Sequence, residues 1–190
     1  SASSDRTLKV WDATTGQEVA TLRGHTNGVS SVAFSPGGKR IVSVGYDHTV
    51  RVWDAATGKE KLLLKGHTDN VASVAFSPDG RQIVSGGRGY HAETKVYKGE
   101  VKVWDLPPAF ADPKSAAPAP GDPRTLGAQY QIRTLSYSPD GKRIVSGAWD
   151  ATLGVATLKV WDAKTGKESL TFKGPDSRVY SVAFSPDGKR

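Results

Sequence analysis

The segment Gly24 to Lys65, GHTNGVSSVAFSPGGKRIVSVGYDHTVRVWDAATGKEKLLLK, returns three more times in altered form, and this recurrence restricts the chain more than any other feature. Self-similarity at a period of about 40 residues means that each unit buries its apolar face against its neighbours, so the chain builds an array rather than one central core. Inside the unit, Val29 to Phe34 alternates as a half-buried strand and is stopped by the Ser35-Pro36-Gly37-Gly38 turn. Ile41 to Val44, Thr49 to Trp53 and Lys61 to Lys65 supply three more strands, separated by Gly45-Tyr46-Asp47-His48 and by Asp54 to Gly58. We label the four strands a, b, c and d.

Four short antiparallel strands per repeat, with Gly-His at the head and Trp-Asp near the end, predict an all-β propeller blade. Gly24-His25, Ser35-Pro36, Asp47 and Trp53-Asp54 resemble a WD-repeat (WD40) blade, and Trp-Asp recurs at residues 11, 53, 104 and 161. The SPDGKRIVSG and TLKVWDA-TG wording is similar to that of bacterial WD-repeat proteins.

Residues 1–190 are expected to form one repeat domain. Residues 1–23 supply the back half of a blade, 24–65 a blade, 66–126 a blade with insertions, 127–173 a blade, and 174–190 a front half with strand a at Val179 to Phe184. From Trp11 to Trp53 is 42 residues, whereas 29 residues from Trp161 to Arg190 and 11 more to Trp11 give 40. The two halves therefore complement each other with two residues missing, a difference that preserves the inside/outside alternation of a strand. This phase favours an eight-bladed ring completed head to tail by a second copy. A portion of a longer propeller and a four-bladed ring are the alternatives.

The resemblance implies a buried hydrogen-bond relay through the head His, a Ser of strand b, the turn Asp and the Trp of strand c. These are His25, Ser43, Asp47 and Trp53 in the first full blade. The second repeat offers His67, Ser85 and Trp104 without the Asp; the third offers Ser146, Asp150 and Trp161 without the His; the split blade offers Asp5 and Trp11, with Pro175 where His is expected. Linking indole, imidazole, hydroxyl and carboxylate satisfies all of them once buried. A Ser-His-Asp hydrolase would need an exposed nucleophile and an oxyanion site, which this pattern does not provide. Only the 24–65 blade carries all four members, so it is expected to be the stiffest.

Two b–c connections are longer than the template. Ser85 to Trp104 spans 19 residues against 10 from Ser43 to Trp53, and Asp150 to Trp161 spans eleven against six. Arg88 to Glu100 and Ala151 to Ala156 are thus expected as neighbouring loops on the face that the family uses to dock peptides. Tyr46, Tyr90, His91, Lys95, Tyr97, Lys98 and Trp149 are the candidate partner-binding residues, since amphipathic side chains favour contact patches. Leu106 to Pro123 holds six prolines and reads as an extended c–d loop.

The absence of Cys excludes disulfides, thiol catalysis and Cys-based zinc sites. Four His without metal-ligand spacing argue against a metal, and Gly86-Gly87-Arg88-Gly89 leaves a strand without entering a helix, which argues against a phosphate loop. No cofactor is expected. No apolar run reaches the length of a membrane span and no secretory segment opens the chain, so a soluble, cytoplasmic protein is expected. The excess of 26 Lys and Arg over 19 Asp and Glu gathers largely just after the a–b turns, where it reads as a solvated rim. The functional expectation is a non-catalytic scaffold that binds a protein or peptide; a basic module for nucleic acid or an anionic surface is the alternative.

Overall fold

A computed structural model describes residues 1–91, 96–107, 123–128, 131–150, 154–174 and 177–190. Strands β1 (Thr7–Trp11) and β2 (Glu18–Arg23) form a two-stranded sheet. Strands β3 (Val29–Phe34), β4 (Arg40–Gly45), β5 (Thr49–Asp54) and β6 (Glu60–Lys65) form the first full blade. The second is built from β7 (Val71–Phe76), β8 (Gln82–His91), β9 (Val96–Asp105) and β10 (Arg124–Ala128), and the third from β11 (Gln131–Tyr137), β12 (Arg143–Asp150), β13 (Val155–Asp162) and β14 (Glu168–Lys173). Each of these sheets runs in sequence order and is antiparallel throughout.

The turns explain why the strands end where they do. In all four a–b turns a serine hydroxyl accepts the backbone N–H five residues on, as in Arg40 to Ser35 and Gln82 to Ser77, and the turn glycine holds a φ of 68–69° that a side chain would resist. At three of the four c–d turns an aspartate collects the N–H and O–H of the threonine three residues on, in Asp12–Thr15, Asp54–Thr57 and Asp162–Thr165. Asp105 is instead followed by buried Leu106 and Pro107.

Packing runs between sheets. Leu8 and Leu22 of the half-blade meet Val29, Ile41 and Trp53; Val42, Val44, Val50 and Val52 meet Val71, Phe76 and Trp104; Val84, Val101 and Val103 meet Ile132, Leu135 and Trp161. One apolar layer thus lies between each pair of consecutive blades, as a stacked array requires. Strand d is the outermost, and β14 is exposed along its whole length.

Two expectations are corrected. The long b–c connection of the second repeat does not leave the sheet as a loop from Arg88: β8 and β9 continue as one hairpin, paired out to His91 and Val96. Backbone pairing needs no side chain, so the glycines of Gly86 to Gly89 do not end the strand. The third repeat extends likewise, with Asp150 opposite Val155. The segment Val179 to Phe184 is not a β-strand, because its ladder partner is missing, although it lies against the third blade, where Val182 N–H donates to Thr134 Oγ1 at 3.2 Å. Among the described residues no strand pairing joins 1–23 to 177–190, so the chain does not close a ring by itself and forms part of a propeller. Most of the Leu106–Pro123 connection and Pro175 lie outside the described residues.

Candidate binding face and the relay beneath it

The 24–65 blade places its four motif residues in one buried line. Trp53 Nε1 donates to Ser43 Oγ at 2.8 Å, Ser43 Oγ lies 2.7 Å from His25 Nε2, and His25 Nδ1 lies 2.8 Å from Asp47 Oδ2. Asp47 also takes the N–H of Thr26 and the N–H and O–H of Thr49. Burial pushes the His25 pKa down despite the attraction of Asp47. For Asp47, burial alone would raise the carboxyl, but the donors from Thr49, Thr26 and His25 outweigh it and hold it below the ordinary range. Neutral imidazole therefore donates from Nδ1 to an ionised carboxylate and accepts the Ser43 hydroxyl proton at Nε2. The serine, histidine and aspartate are thus linked as in a hydrolase, yet Ser43 is fully buried and one of its lone pairs is taken by the indole. No substrate carbonyl can approach it.

In the second blade Trp104 Nε1 donates to Ser85 Oγ at 2.8 Å, and Ser85 Oγ lies 2.6 Å from His67 Nε2. The missing aspartate is replaced by a residue that the motif does not name: Glu100 Oε1 sits 2.7 Å from His67 Nδ1 and accepts the Thr68 N–H at 3.1 Å. Burial raises this carboxyl, but His67, Thr68 and Lys102 outweigh that effect and hold it at about 2. Glu100 stands four residues before Trp104, where Thr7, Thr49 and Thr157 stand before the other tryptophans. A glutamate at the one repeat that lacks the turn aspartate was the available signal.

The third blade keeps Trp161 Nε1 donating to Ser146 Oγ at 2.9 Å, with Asp150 buried. In the half-blade Asp5 holds the Thr7 N–H and O–H, and Trp11 Nε1 donates to Ser1 Oγ at 3.1 Å. Ser1 is ten residues before Trp11, as Ser43 is before Trp53, and the Ala2–Leu8 bridge places it beside strand c.

Of the candidate partner residues, Tyr46 is a third exposed at the start of the first blade's b–c turn and accepts a hydrogen bond from Arg88 Nη2 at 3.0 Å. Trp149 pairs with Ala156 near the tip of the β12–β13 hairpin. Tyr90 pairs with Tyr97, His91 with Val96, and Lys98 with Gly89, which strings them along the extended β8–β9 hairpin; Lys95 lies outside the described residues. Arg88 also reaches toward a shallow cleft of about 180 Å³ lined by Ser30, Tyr46, Ala72, Arg133 and Tyr180. Among the described residues no cluster of His, Asp and Glu has the arrangement of a metal site, and no helix is long and apolar enough to cross a membrane.

The family model for the WD domain, G-beta repeat, matches residues 16–54, 58–105, 123–155 and 166–190, well over half of the sequence. The chain belongs to the WD-repeat family. Several curated proteins are similar to it over short stretches. It is 35% identical to mouse Coronin-7 over 91 residues, which are 47% of this chain and 9% of that protein. It is 50% identical over 42 residues to the nuclear distribution protein PAC1 of Mycosarcoma maydis, or 22% of this chain and 9% of that one. It is 31% identical over 88 residues to the human peroxisomal targeting signal 2 receptor, or 46% and 24%. The matched stretches thus cover less than a quarter of each of these relatives.

Proposed function

We propose that this WD-repeat chain is a non-catalytic scaffold that binds a protein or peptide along the face carrying Tyr46, the β8–β9 hairpin and Trp149. The carrying observation is a division of labour among side chains. The polar groups shared by the repeats, His25, Ser43, Asp47 and their counterparts, are consumed by one another inside the blades. The b–c hairpins differ between repeats, the second outreaching that of the first blade. A rigid framework with variable, aromatic-rich extensions is what a docking surface needs. The relatives' names, among them a targeting-signal receptor, agree with a recognition role. Affinity capture with the wild-type chain and with a Tyr90→Ala, Tyr97→Ala, Trp149→Ala variant tests the surface. Partners retained by the first and lost by the second are expected, and identical capture would refute it.

The same reading includes head-to-tail self-association. Trp11 is 48% exposed, whereas Trp53, Trp104 and Trp161 are at most 4% exposed, because the half-blade lacks the neighbour that covers the others. The extended segment 179–184 supplies a strand a without a partner, and β1 carries only the short Ala2 bridge where strand b belongs. A second copy can complete both, burying the open edges that sheets otherwise expose. Light scattering should give twice the 20.2 kDa mass of one chain, and a monodisperse monomer would exclude the dimer.

A further inference from the structure

Ser30, Ala72, Arg133 and Tyr180 each follow the first apolar residue of strand a, or of its unpaired equivalent, in four successive repeats. At the first three the ladder register shifts, so each of these residues is a bulge lifted out of regular pairing. Tyr46 and Arg88 also share a place, three residues after the relay serine. These two rows of equivalent positions together line the shallow cleft of about 180 Å³. The flanking positions barely change between repeats, Val29, Val71, Ile132 and Val179 on one side and Ser43 and Ser85 on the other, whereas the lining changes completely.

The lining has one sign of charge. Arg88 lies over the Tyr46 ring at 5.6 Å and Arg133 over the Tyr180 ring at 6.0 Å, so each guanidinium has one face on an aromatic ring; Arg88 spends Nη2 on the Tyr46 hydroxyl and keeps its other donors. Arg133 Nε is buried without a hydrogen-bond partner. The Arg133 pKa is lowered first by burial and then by the charges of Arg88 and Arg178. Among the described residues neither Arg88 nor Arg133 has an ion pair with a carboxylate; Asp69, in the shallow hollow on the other side of Arg88, is not within ion-pair distance of it. Gathering cations in a concave site without compensation is unfavourable unless an anion completes it.

We propose that this cleft binds a phosphate dianion, free or as a phosphomonoester, through Arg88 and Arg133, with Tyr46 and Tyr180 holding the two guanidinium planes. Two forked guanidinium donors suit a doubly charged tetrahedral oxyanion better than a single carboxylate. The proposal rests on the recognition role given above, since it supplies that face with a chemical preference, and it involves none of Tyr90, Tyr97 or Trp149.

Titration calorimetry at fixed ionic strength tests it, with inorganic phosphate, N-acetylphosphoserine amide and N-acetylaspartate amide as probes. Saturable one-to-one binding of a phosphate probe is expected, weakened at least about tenfold by Arg88→Gln and by Arg133→Gln but not by Arg81→Gln on an a–b turn. Arg133→Lys, which keeps the charge and loses the fork, should fall between wild type and Arg133→Gln. Circular dichroism and thermal melting establish that each variant is folded, and Arg88→Gln carries the test if Arg133→Gln is not. Tighter binding of the phosphoserine probe identifies a phosphorylated side chain as the source, and tighter binding of inorganic phosphate identifies the free ion. The absence of saturable phosphate binding, equal binding by the glutamine variants, or aspartate binding as tightly as phosphate would overturn the proposal. Loss of partner capture in the Tyr90, Tyr97, Trp149 variant with phosphate binding intact leaves both readings standing. Capture unchanged in that variant while phosphate still binds sinks only the hairpin surface.

Discussion

Replacing Glu100 by alanine isolates what the relocated carboxylate contributes. In the folded chain Glu100 serves His67 Nδ1 at 2.7 Å, the Thr68 N–H at 3.1 Å and Lys102 Nζ at 3.1 Å, and Lys102 is itself buried. Holding the carboxyl at about 2 against an ordinary 4.5 corresponds, at ~1.36 kcal/mol per unit, to roughly 3 kcal/mol. The side chain is 21% exposed, so solvent screening trims this to about 2 kcal/mol. Truncation also strands an imidazole N–H and a backbone N–H, at about 1 kcal/mol or more in total. Glu100→Ala should therefore destabilise the chain by about 3 kcal/mol, and Glu100→Gln, which keeps an acceptor, by about half as much. Urea unfolding at neutral pH, followed by tryptophan fluorescence, measures both. A His67→Ala, Glu100→Ala cycle should show a coupling of at least about 1 kcal/mol. An alanine variant within about 0.5 kcal/mol of wild type, or additive single and double variants, would refute the assignment of Glu100 to the relay.

The pKa shifts set an acid sensitivity with a definite sign. His25 and His67 are lowered from 6.5 by burial, so the stability tied to their neutral forms is complete above about 6.5 and falls as the pH drops below it. Asp47 and Glu100 are lowered as well, so their contributions are lost in a lower window, for Glu100 from about 4.5 toward 2. Urea midpoints measured across pH should show both losses on acidification, and a midpoint that rises between pH 6.5 and 5 would contradict the neutral histidines. Gly86→Ala should cost about 1–3 kcal/mol, because a Cβ there would lie 2.3 Å from Ile132 Cγ2. Gly37→Ala, with nothing within 4 Å, should be near neutral, and equal melting temperatures for the two would remove the packing argument. Amide exchange should be slowest in β4, β5, β8 and β9, where the relays run from tryptophan to carboxylate, and faster in β12 and β13, whose blade lacks the head histidine. Equal protection in all three blades would count against the relay as a source of stiffness.

The strands of the 24–65 blade were legible in the sequence because period-two alternation and turn chemistry coincide there, and Ser35, Asp54 and Thr57 spend their side chains on the turns they announce. The hairpin extension was not legible. Gly86 to Gly89 carries no alternating pattern, and glycine normally marks a break, but here the constraint is close packing: a Cβ on Gly86 would meet Ile132, and one on Gly89 would lie 2.1 Å from Asp69 Oδ2. A propensity argument cannot register a neighbour contributed by a later repeat. Glu100 escaped for a different reason. The template assigns the carboxylate to a turn residue, and the relay requires only that an oxygen arrive at His67 Nδ1. The bare edge of Val179 to Phe184 depends on a partner strand that its alternating pattern cannot supply.

If an oxygen at the imidazole is what matters, the two solutions should be exchangeable. In the first blade Thr49 holds Asp47 through its N–H at 3.2 Å and its O–H at 2.8 Å, and Asp47 in turn meets His25 and the Thr26 N–H. In the second blade the residue at the Thr49 position is Glu100, whose longer side chain reaches the histidine directly. The surroundings are matched: Arg51 lies 3.9 Å from Asp47, as Lys102 lies 3.1 Å from Glu100, so a cation waits beside either carboxylate. Asp47→Ala alone leaves His25 Nδ1 and the Thr26 N–H without their acceptor and should cost about 3 kcal/mol. Adding Thr49→Glu should return at least half of that, and a His25→Ala change should abolish the recovery, because the new carboxylate then has no imidazole to meet. The comparison is made by urea unfolding of the single, double and triple variants. A double variant no more stable than Asp47→Ala would mean that the carboxylate is bound to its turn, and that the second blade tolerates Glu100 only because its longer hairpin has reshaped the space around His67.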